Sequence, residues 1–231
     1  MHRSTPRRLA ALFAVGLLTA VAPAIASAAT VTVPGQCYVY WPSQGSQLIP
    51  VSVGGLTAGQ TVKLTLEVDG RTVSGVPSLT ADSTGSIVTQ LSSWESGLGT
   101  GPTRSTKARI VINDLSNGSE LGASTFKVGN VAVKVDGAAK ARGTKRIWEV
   151  SGLSVLNLEN TYWAHYFKKG KEVGKQRLGQ ATDACGYIRV KKLLVPFRQF
   201  GTFEVRVQAS ERFNKDLAWI SGTVEAYKVR K

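Results

Sequence analysis

Residue types that commonly carry catalysis are scarce in this chain. Its 231 residues include two histidines, His2 and His165, and two cysteines, Cys37 and Cys185. A catalytic or structural zinc site needs several such ligands together, and a Ser-His-Asp triad needs a histidine beside a recognisable nucleophile turn. The chain contains no such turn and no glycine-rich nucleotide-binding motif. We therefore expect no catalytic residue, no metal ligand and no cofactor. A small hydrolase using two carboxylates that meet only in space is the least favoured alternative.

The two cysteines are candidates for a disulfide rather than for redox or metal chemistry. An even cysteine count in an exported chain favours pairing, and a bond between Cys37 and Cys185 would close a loop of 148 residues. The alternative is two separate buried thiols. Spacing does not decide between them, because a disulfide depends on how the two residues meet in space.

Electrostatic binding is the chemistry that the composition supports best. Lysine and arginine number 29 against 15 aspartates and glutamates, which gives a formal net charge of +14. Residues 29–129 hold six basic and six acidic side chains, whereas residues 130–231 hold 20 basic and nine acidic ones. Of the aromatic residues, five lie in the first of these segments and twelve in the second. Charge and aromatic content are therefore concentrated in the second half.

The basic residues of the second half are clustered along the chain. A crowded set of lysines repels itself unless it is solvated or meets an anion. The predicted anion-binding residues are Lys168, Lys169, Lys171, Lys175, Lys191 and Lys192, and Lys228, Arg230 and Lys231 form a basic tail. The partner we expect is an anionic polymer of the cell envelope or an acidic protein, with an anionic membrane surface and a merely solvated basic face as alternatives. No nucleic-acid recognition motif is visible, so we expect no specific nucleic-acid partner.

An alternating segment of the second half carries a second candidate site. Residues 61–68 alternate apolar and polar side chains, and the residues predicted to face a core are Val62, Leu64, Leu66 and Val68. The same alternation in residues 161–168 predicts that Tyr162, Ala164 and Tyr166 face the core. Trp163, His165 and Phe167 are then left on the opposite face. Such a face would stack on sugar rings or pack against a partner. The interpretation that we favour is that the first domain or a flanking segment covers this face.

The amino terminus has the form of an export signal. Three arginines precede an apolar stretch that ends at Ala26-Ser27-Ala28, which is the pattern of a secretory signal peptide over residues 1–28. A membrane anchor is the alternative, and twin-arginine export is less favoured than general secretion. No later apolar run approaches 18 residues, so we expect no transmembrane segment in the mature chain. The predicted location is extracellular, with attachment to the cell wall left open.

The remaining sequence contains one pattern twice. Residues 61–73 and 161–173 share a strand that enters a turn containing glycine, and further matching strands and turns follow at offsets of 95 to 101. Each copy has six or seven short alternating segments separated by turn residues, which is typical of an antiparallel β-sandwich. We therefore predict an all-β protein of two tandem immunoglobulin-like domains, 29–129 and 130–231. No linker-like composition separates them, so we expect the domains to abut.

A family resemblance supports this fold. Residues 51–66 and the turn at 82–87 resemble the immunoglobulin-like sandwich repeats of secreted bacterial proteins, and residues 183–186 and 195–198 resemble modules of secreted actinobacterial proteins with no assigned role. Such repeats serve as spacers, adhesins and binding modules. The resemblance thus implies a fold and leaves the ligand open. The function predicted is a secreted, non-catalytic binding protein, and the alternative is a structural or self-associating subunit. The oligomeric state is left open.

Overall fold

The computed structural model describes residues 28–91, 98–136 and 144–226. Sixteen β-strands and one short helix form within these ranges. Residues 1–27 of the predicted signal peptide lie outside the described residues, as do Lys228, Arg230 and Lys231 of the predicted basic tail. No helix within the described ranges is long and apolar enough to cross a membrane.

The first half folds into two packed sheets, here called the first sandwich. One sheet has the strand order β1-β4-β7 and the other the order β3-β2-β9-β8-β5-β6. Every strand pairing described here is antiparallel except that of β2 with β9, which is parallel. The strands are β1 (Thr30–Thr32), β2 (Cys37–Trp41), β3 (Gly45–Ser46), β4 (Ile49–Gly54), β5 (Thr61–Val68), β6 (Arg71–Thr80), β7 (Ile87–Leu91), β8 (Thr106–Asp114) and β9 (Glu120–Asn130).

The second half repeats this arrangement in a second sandwich. Its sheets have the orders β10-β11-β14 and β13-β12-β15-β16. The elements are β10 (Ala132–Val135), β11 (Lys145–Ser151), α1 (Leu153–Asn157), β12 (Thr161–Lys168), β13 (Lys171–Gln180), β14 (Ile188–Leu193), β15 (Gly201–Gln208) and β16 (Trp219–Ala226). The prediction of an all-β chain with immunoglobulin-like sandwiches in tandem is confirmed.

The two sandwiches share details below the level of strand order. The β5–β6 and β12–β13 ladders each contain two register shifts, and these fall at Val62 and Leu66 in one and at Tyr162 and Tyr166 in the other. Side chains at these positions point into the cores: Val62, Leu64, Leu66, Tyr162, Ala164 and Tyr166 are all fully buried. The inward half of the predicted alternation therefore agrees with the structure in both copies.

A turn centred on an aspartate also occurs in both copies. Asp82 Oδ1 accepts hydrogen bonds from the backbone N–H groups of Thr84 and Ser86, at 2.8 and 3.0 Å. Asp183 Oδ1 accepts the equivalent bonds from Cys185 and Tyr187, at 3.1 and 2.8 Å. Each aspartate organises the connection into the next strand by pairing backbone donors that would otherwise lack partners.

Strand β2 is shared between the two hydrophobic cores. Successive side chains of a strand point to opposite faces. Tyr38 packs in the core of the first sandwich, whereas Cys37 and Val39 belong to the core of the second. The predicted disulfide is present between Cys37 and Cys185, with 5.4 Å between the Cα atoms. The two sandwiches are consequently joined by buried side chains as well as by a covalent bond.

Polar contacts surround this junction. The Asp183 Oδ2 atom accepts a hydrogen bond from the Ser105 N–H group at 2.8 Å, and Ser151 Oγ donates to the Asn130 carbonyl at 2.7 Å. Asn130 is fully buried, and its side chain is also bonded to Thr103 at 2.8 Å. A Cβ atom at Gly129 would lie 2.9 Å from the Cβ of Cys185, so the close approach of the strand to the disulfide requires glycine there.

Helix α1 is an element that the sequence analysis missed. It has five residues and follows Gly152, whose φ of 81° is a conformation that favours glycine. A segment of this length does not complete two helical turns, so it leaves no helical periodicity to detect. The Ser154 backbone N–H group at its start donates to the buried Tyr162 hydroxyl at 3.1 Å, and this contact anchors the helix to the second core.

The disulfide yields a stability prediction. Replacement of both cysteines, Cys37→Ser with Cys185→Ser, should lower the free energy of unfolding by roughly 2–5 kcal/mol, because the unfolded chain regains the freedom of a 148-residue loop. Urea denaturation followed by tryptophan fluorescence measures the change. Dithiothreitol should destabilise the wild-type chain and leave the double variant unaffected. Equal unfolding midpoints for wild type and variant would contradict the prediction.

The Asp82 turn yields a prediction about pH. Hydrogen bonds from Thr84 and then from Ser86 lower the pKa of the Asp82 carboxyl below its usual 3.8. A lowered folded-state pKa gives stability that is complete above the unfolded-state pKa and is lost as the pH falls through the folded-state value. Wild type should therefore lose its stability advantage over Asp82→Asn as the pH falls below 3.8. Thermal unfolding across a pH series tests this, and a difference that is independent of pH would refute it.

Candidate functional site

The lysine hairpin of the second sandwich joins β12 to β13. At its tip, Lys169 and Gly170 have φ angles of 51° and 75°. Lys169 and Lys171 are exposed, and neither forms an ion pair within the described part of the chain. Lys168 Nζ donates to the Phe200 carbonyl at 3.0 Å, while Lys175 Nζ lies 3.0 Å from a Glu211 carboxylate oxygen. Of these four lysines, the two at the tip are the ones left available to a ligand.

The remaining two predicted lysines lie on the other sheet. In the β11–β14 ladder, Lys191 is paired with Ile147 and Lys192 with Arg146. This sheet meets the hairpin's sheet where Gln176 Nε2 donates to the Leu193 carbonyl at 2.9 Å. The six predicted lysines are therefore divided between two sheets, which adjoin along β13 and β14. The structure does not place them on a single face.

The predicted aromatic face is covered by a neighbouring segment. Trp163, His165 and Phe167 do lie on the opposite side of β12 from the core, but His165 is completely buried and Phe167 is 7% exposed. The cover is the segment between β15 and β16, whose Phe213 ring lies 5.4 Å from that of His165 and 5.0 Å from that of Phe167. Trp163 is partly exposed, with Lys175 Nζ 5.3 Å from its ring centre.

His165 is held in place at both ring nitrogens. Nδ1 lies 2.9 Å from a Glu172 carboxylate oxygen, and Nε2 lies 3.0 Å from the Ser210 carbonyl oxygen. The only histidine of the described residues thus has a protein partner at each ring nitrogen.

Arg206 organises the segment that covers this face. Its guanidinium carbon lies 4.3 Å from the ring centre of Phe167, 4.8 Å from that of Trp219 and 5.3 Å from that of Phe213. Two nitrogens of the guanidinium donate to Glu204, at 2.6 and 3.0 Å. This hydrogen bonding to Arg206 lowers the pKa of the Glu204 carboxyl. A planar cation is suited to these contacts because it stacks on rings while it donates at its edge.

A cleft that the sequence analysis did not predict lies beside the junction of the two sandwiches. It has a volume of about 620 Å³, and Trp41 from β2 and Trp219 from β16 line it. Tryptophans at opposite ends of a chain leave no local sequence pattern that would indicate they meet. The signal that was available is indirect: Trp41 lies four residues after Cys37, so pairing of Cys37 with Cys185 brings it towards the second sandwich.

Within the described ranges, no group of three or more histidine, cysteine, aspartate or glutamate side chains is placed to hold a metal ion. The chain shows no match to any known family or to any curated protein.

Solved structures with similar folds were found. The fibronectin(III)-like modules of Clostridium thermocellum CbhA match with 13% identity and a TM-score of 0.27, covering 86% of this chain and 93% of that one. Titin domains I67–I69 match with 8% identity and a TM-score of 0.36, covering 86% of this chain and 64% of that one. The titin domains Z1Z2, solved in complex with telethonin, match with 16% identity and a TM-score of 0.27, covering 86% of this chain and 94% of that one. These are likenesses of fold. The strand order itself defines an immunoglobulin-like sandwich.

Arg206 provides a test of how the covering segment is held. Arg206→Lys keeps the charge but loses the planar stack and the paired donors, so unfolding free energy should fall by about 1–2 kcal/mol. Amide hydrogen exchange in residues 209–219 should become faster. Arg212→Lys is the matched control, since Arg212 is exposed and forms no ring contact or ion pair with another described residue. Unchanged exchange in Arg206→Lys would show that the segment is held by other contacts.

Proposed function

We propose that this chain is an exported, non-catalytic binding protein whose second sandwich contacts an anionic polymer of the cell envelope through the lysine hairpin. The proposal rests on a comparison of this hairpin with the equivalent hairpin of the first sandwich, between β5 and β6. The hairpin of the first sandwich turns at Asp69 and Gly70 with φ angles of 50° and 74°, almost the same as those of Lys169 and Gly170. The backbone is alike in the two hairpins and the charge is opposite at the first turn position.

Folding does not account for the lysine at position 169. A positive φ favours glycine, asparagine and aspartate, because their side chains tolerate this conformation or bond locally to the backbone. Asp69 meets this preference and Lys169 does not. Lys171 stands where the first sandwich has Arg71, so the tip of the second hairpin carries two positive charges and that of the first is neutral. A ligand with negative charge supplies the reason for the difference.

The charge of the surrounding sandwich favours the same ligand. Several of its acidic groups are already paired, with Glu149, Glu204 and Glu211 contacting Arg189, Arg206 and Lys175. Residues 130–231 carry 20 basic side chains against nine acidic ones, so these pairs leave a large positive excess. Such an excess attracts polyanions over distances of about a Debye length, roughly 8 Å in physiological salt.

Export and partner are parts of the proposal. The basic and apolar pattern of residues 1–28 supports secretion, and a disulfide is compatible with an oxidising compartment. An acidic protein is the other partner with the required charge. A self-associating subunit using the face of Trp163, His165 and Phe167 has less support, because residues 209–219 cover most of that face.

The hairpin can be tested with the full-length protein. Lys169→Asp combined with Lys171→Gln should weaken binding to the purified envelope fraction and to polygalacturonate by tenfold or more at low salt. Loss of two contacting cations should also reduce the slope of log affinity against log salt, by up to about two for a polyanion as densely charged as nucleic acid. Co-sedimentation across a salt series measures both quantities.

The first sandwich supplies the matched control. Arg71→Gln removes one exposed cation from the equivalent hairpin position and should leave binding unchanged. A loss of binding in the control that matches the double variant's loss per unit of charge removed would show that net charge alone matters. Unaltered binding in the double variant would overturn the proposal for the hairpin. Retention of an acidic protein from the fraction, with no binding to polygalacturonate, would favour the protein partner instead.

A further inference from the structure

The cleft beside the junction of the two sandwiches suggests a second ligand. We propose that it binds a neutral oligosaccharide, whose sugar rings stack on the two indoles while their hydroxyls bond to polar side chains at the rim. The residues that we assign to this saccharide cleft are Trp41, Ser43, Gln44, Asp216, Trp219 and Ser221. This inference does not depend on the lysine hairpin, since it involves other residues and an uncharged ligand.

The saccharide cleft is built largely from segments in which the two sandwiches differ. The connection from β8 to β9 spans residues 115–119, whereas the equivalent connection from β15 to β16 spans residues 209–218. The longer connection supplies Asp216 and leads into Trp219. On the other wall, Trp41, Ser43 and Gln44 come from the β2–β3 segment, which has no counterpart among the described strands of the second sandwich. Besides covering the outer face of β12 and continuing β2, these additions place aromatic and polar residues around the cleft.

The wall from the second sandwich is rigidly held. Asn157 in α1 donates to the Ala218 carbonyl and accepts from the Ala218 N–H group, both at 2.9 Å. Gln208 makes a similar pair of bonds with Asn214, at 2.6 and 3.0 Å. The indole of Trp219 stacks with Arg206 as described above. A wall fixed in advance loses little conformational entropy when a ligand binds.

The opposite wall is fixed by the disulfide junction. Trp41 is the last residue of β2, and it packs partly against the second core beside the buried Cys37 and Val39. The Gln44 N–H group donates to the Trp41 carbonyl at 2.9 Å and closes the turn that follows. Trp41 and Trp219 therefore both belong to the lining of a cleft of about 620 Å³, a size within the usual range of ligand sites.

The polar groups of the rim match a sugar better than other ligands. The side chains of Ser43, Gln44, Asp216 and Ser221 form no hydrogen bond with another residue in the described part of the chain, so donors and acceptors are available together. Lys215 balances Asp216 in charge, which gives no preference for a polyanion. A pyranose has an apolar face for an indole and hydroxyls around its edge. A proline-rich peptide would use the indoles but leave most of the polar groups unmatched.

Isothermal titration of the full-length protein with cello-, malto-, chito- and mannohexaose tests the proposal. We expect at least one of them to bind, with a change in tryptophan fluorescence and little dependence on salt. Trp41→Ala and Trp219→Ala should each weaken binding by tenfold or more, and Gln44→Ala and Asp216→Asn by about fivefold to tenfold. Asp136→Asn, which removes an exposed carboxylate away from the cleft residues, is the matched control.

The outcomes separate this proposal from the one made for the lysine hairpin. Gln44 and Asp216 are exposed and their side chains have no bonds to lose, so their variants remain informative if a tryptophan variant unfolds. The double lysine variant should bind the hexasaccharide as wild type does. Failure of all four hexasaccharides to bind would overturn the proposal. So would binding that survives in the cleft variants, or binding of a polyproline peptide in place of every sugar.

Discussion

The packing of one short strand between two hydrophobic cores is the constraint on which the rest of this structure depends. Tyr38 on one face of β2 fills the first core, while Cys37 and Val39 on the other face fill the second. The bond from Cys37 to Cys185 makes this arrangement covalent. Because the strand is buried on both sides, the sandwiches cannot separate without exposing apolar surface and breaking a disulfide. Tandem domains joined only by a peptide linker lack such a restraint.

A rigid junction determines what the surfaces can do. It brings Trp41 from the first sandwich and Trp219 from the second into the lining of one cleft, which a mobile pair of domains would not hold open. The lysine hairpin, by contrast, belongs to one sheet and needs only the β-turn that both sandwiches form. The molecule therefore offers two kinds of surface: an electrostatic one that a single domain provides, and a shaped one that exists only when both domains are in place.

The candidate site was predicted in part. Alternation along β12 correctly separated the core residues from Trp163, His165 and Phe167, because the side-chain period of a strand is fixed by its backbone. Their exposure was not predictable in this way. It depends on the segment of residues 209–219, which folds back over the sheet through ring contacts and the stacking of Arg206. Similarly, Lys175 and Lys191 belong to consecutive strands of the chain, β13 and β14, but these strands lie in different sheets.

What the sequence determined by itself is local or repeated: the alternating strands, the glycine-containing turns, the duplication, and the concentration of charge after residue 129. These features follow from backbone geometry and from composition, both of which can be read from residues that are close together in the chain. The tertiary structure alone decided that Cys37 meets Cys185, that β2 enters both cores, and that His165 is buried with one ring nitrogen against Glu172. Each of these depends on residues far apart in the chain, and their encounter is set by how whole sheets pack.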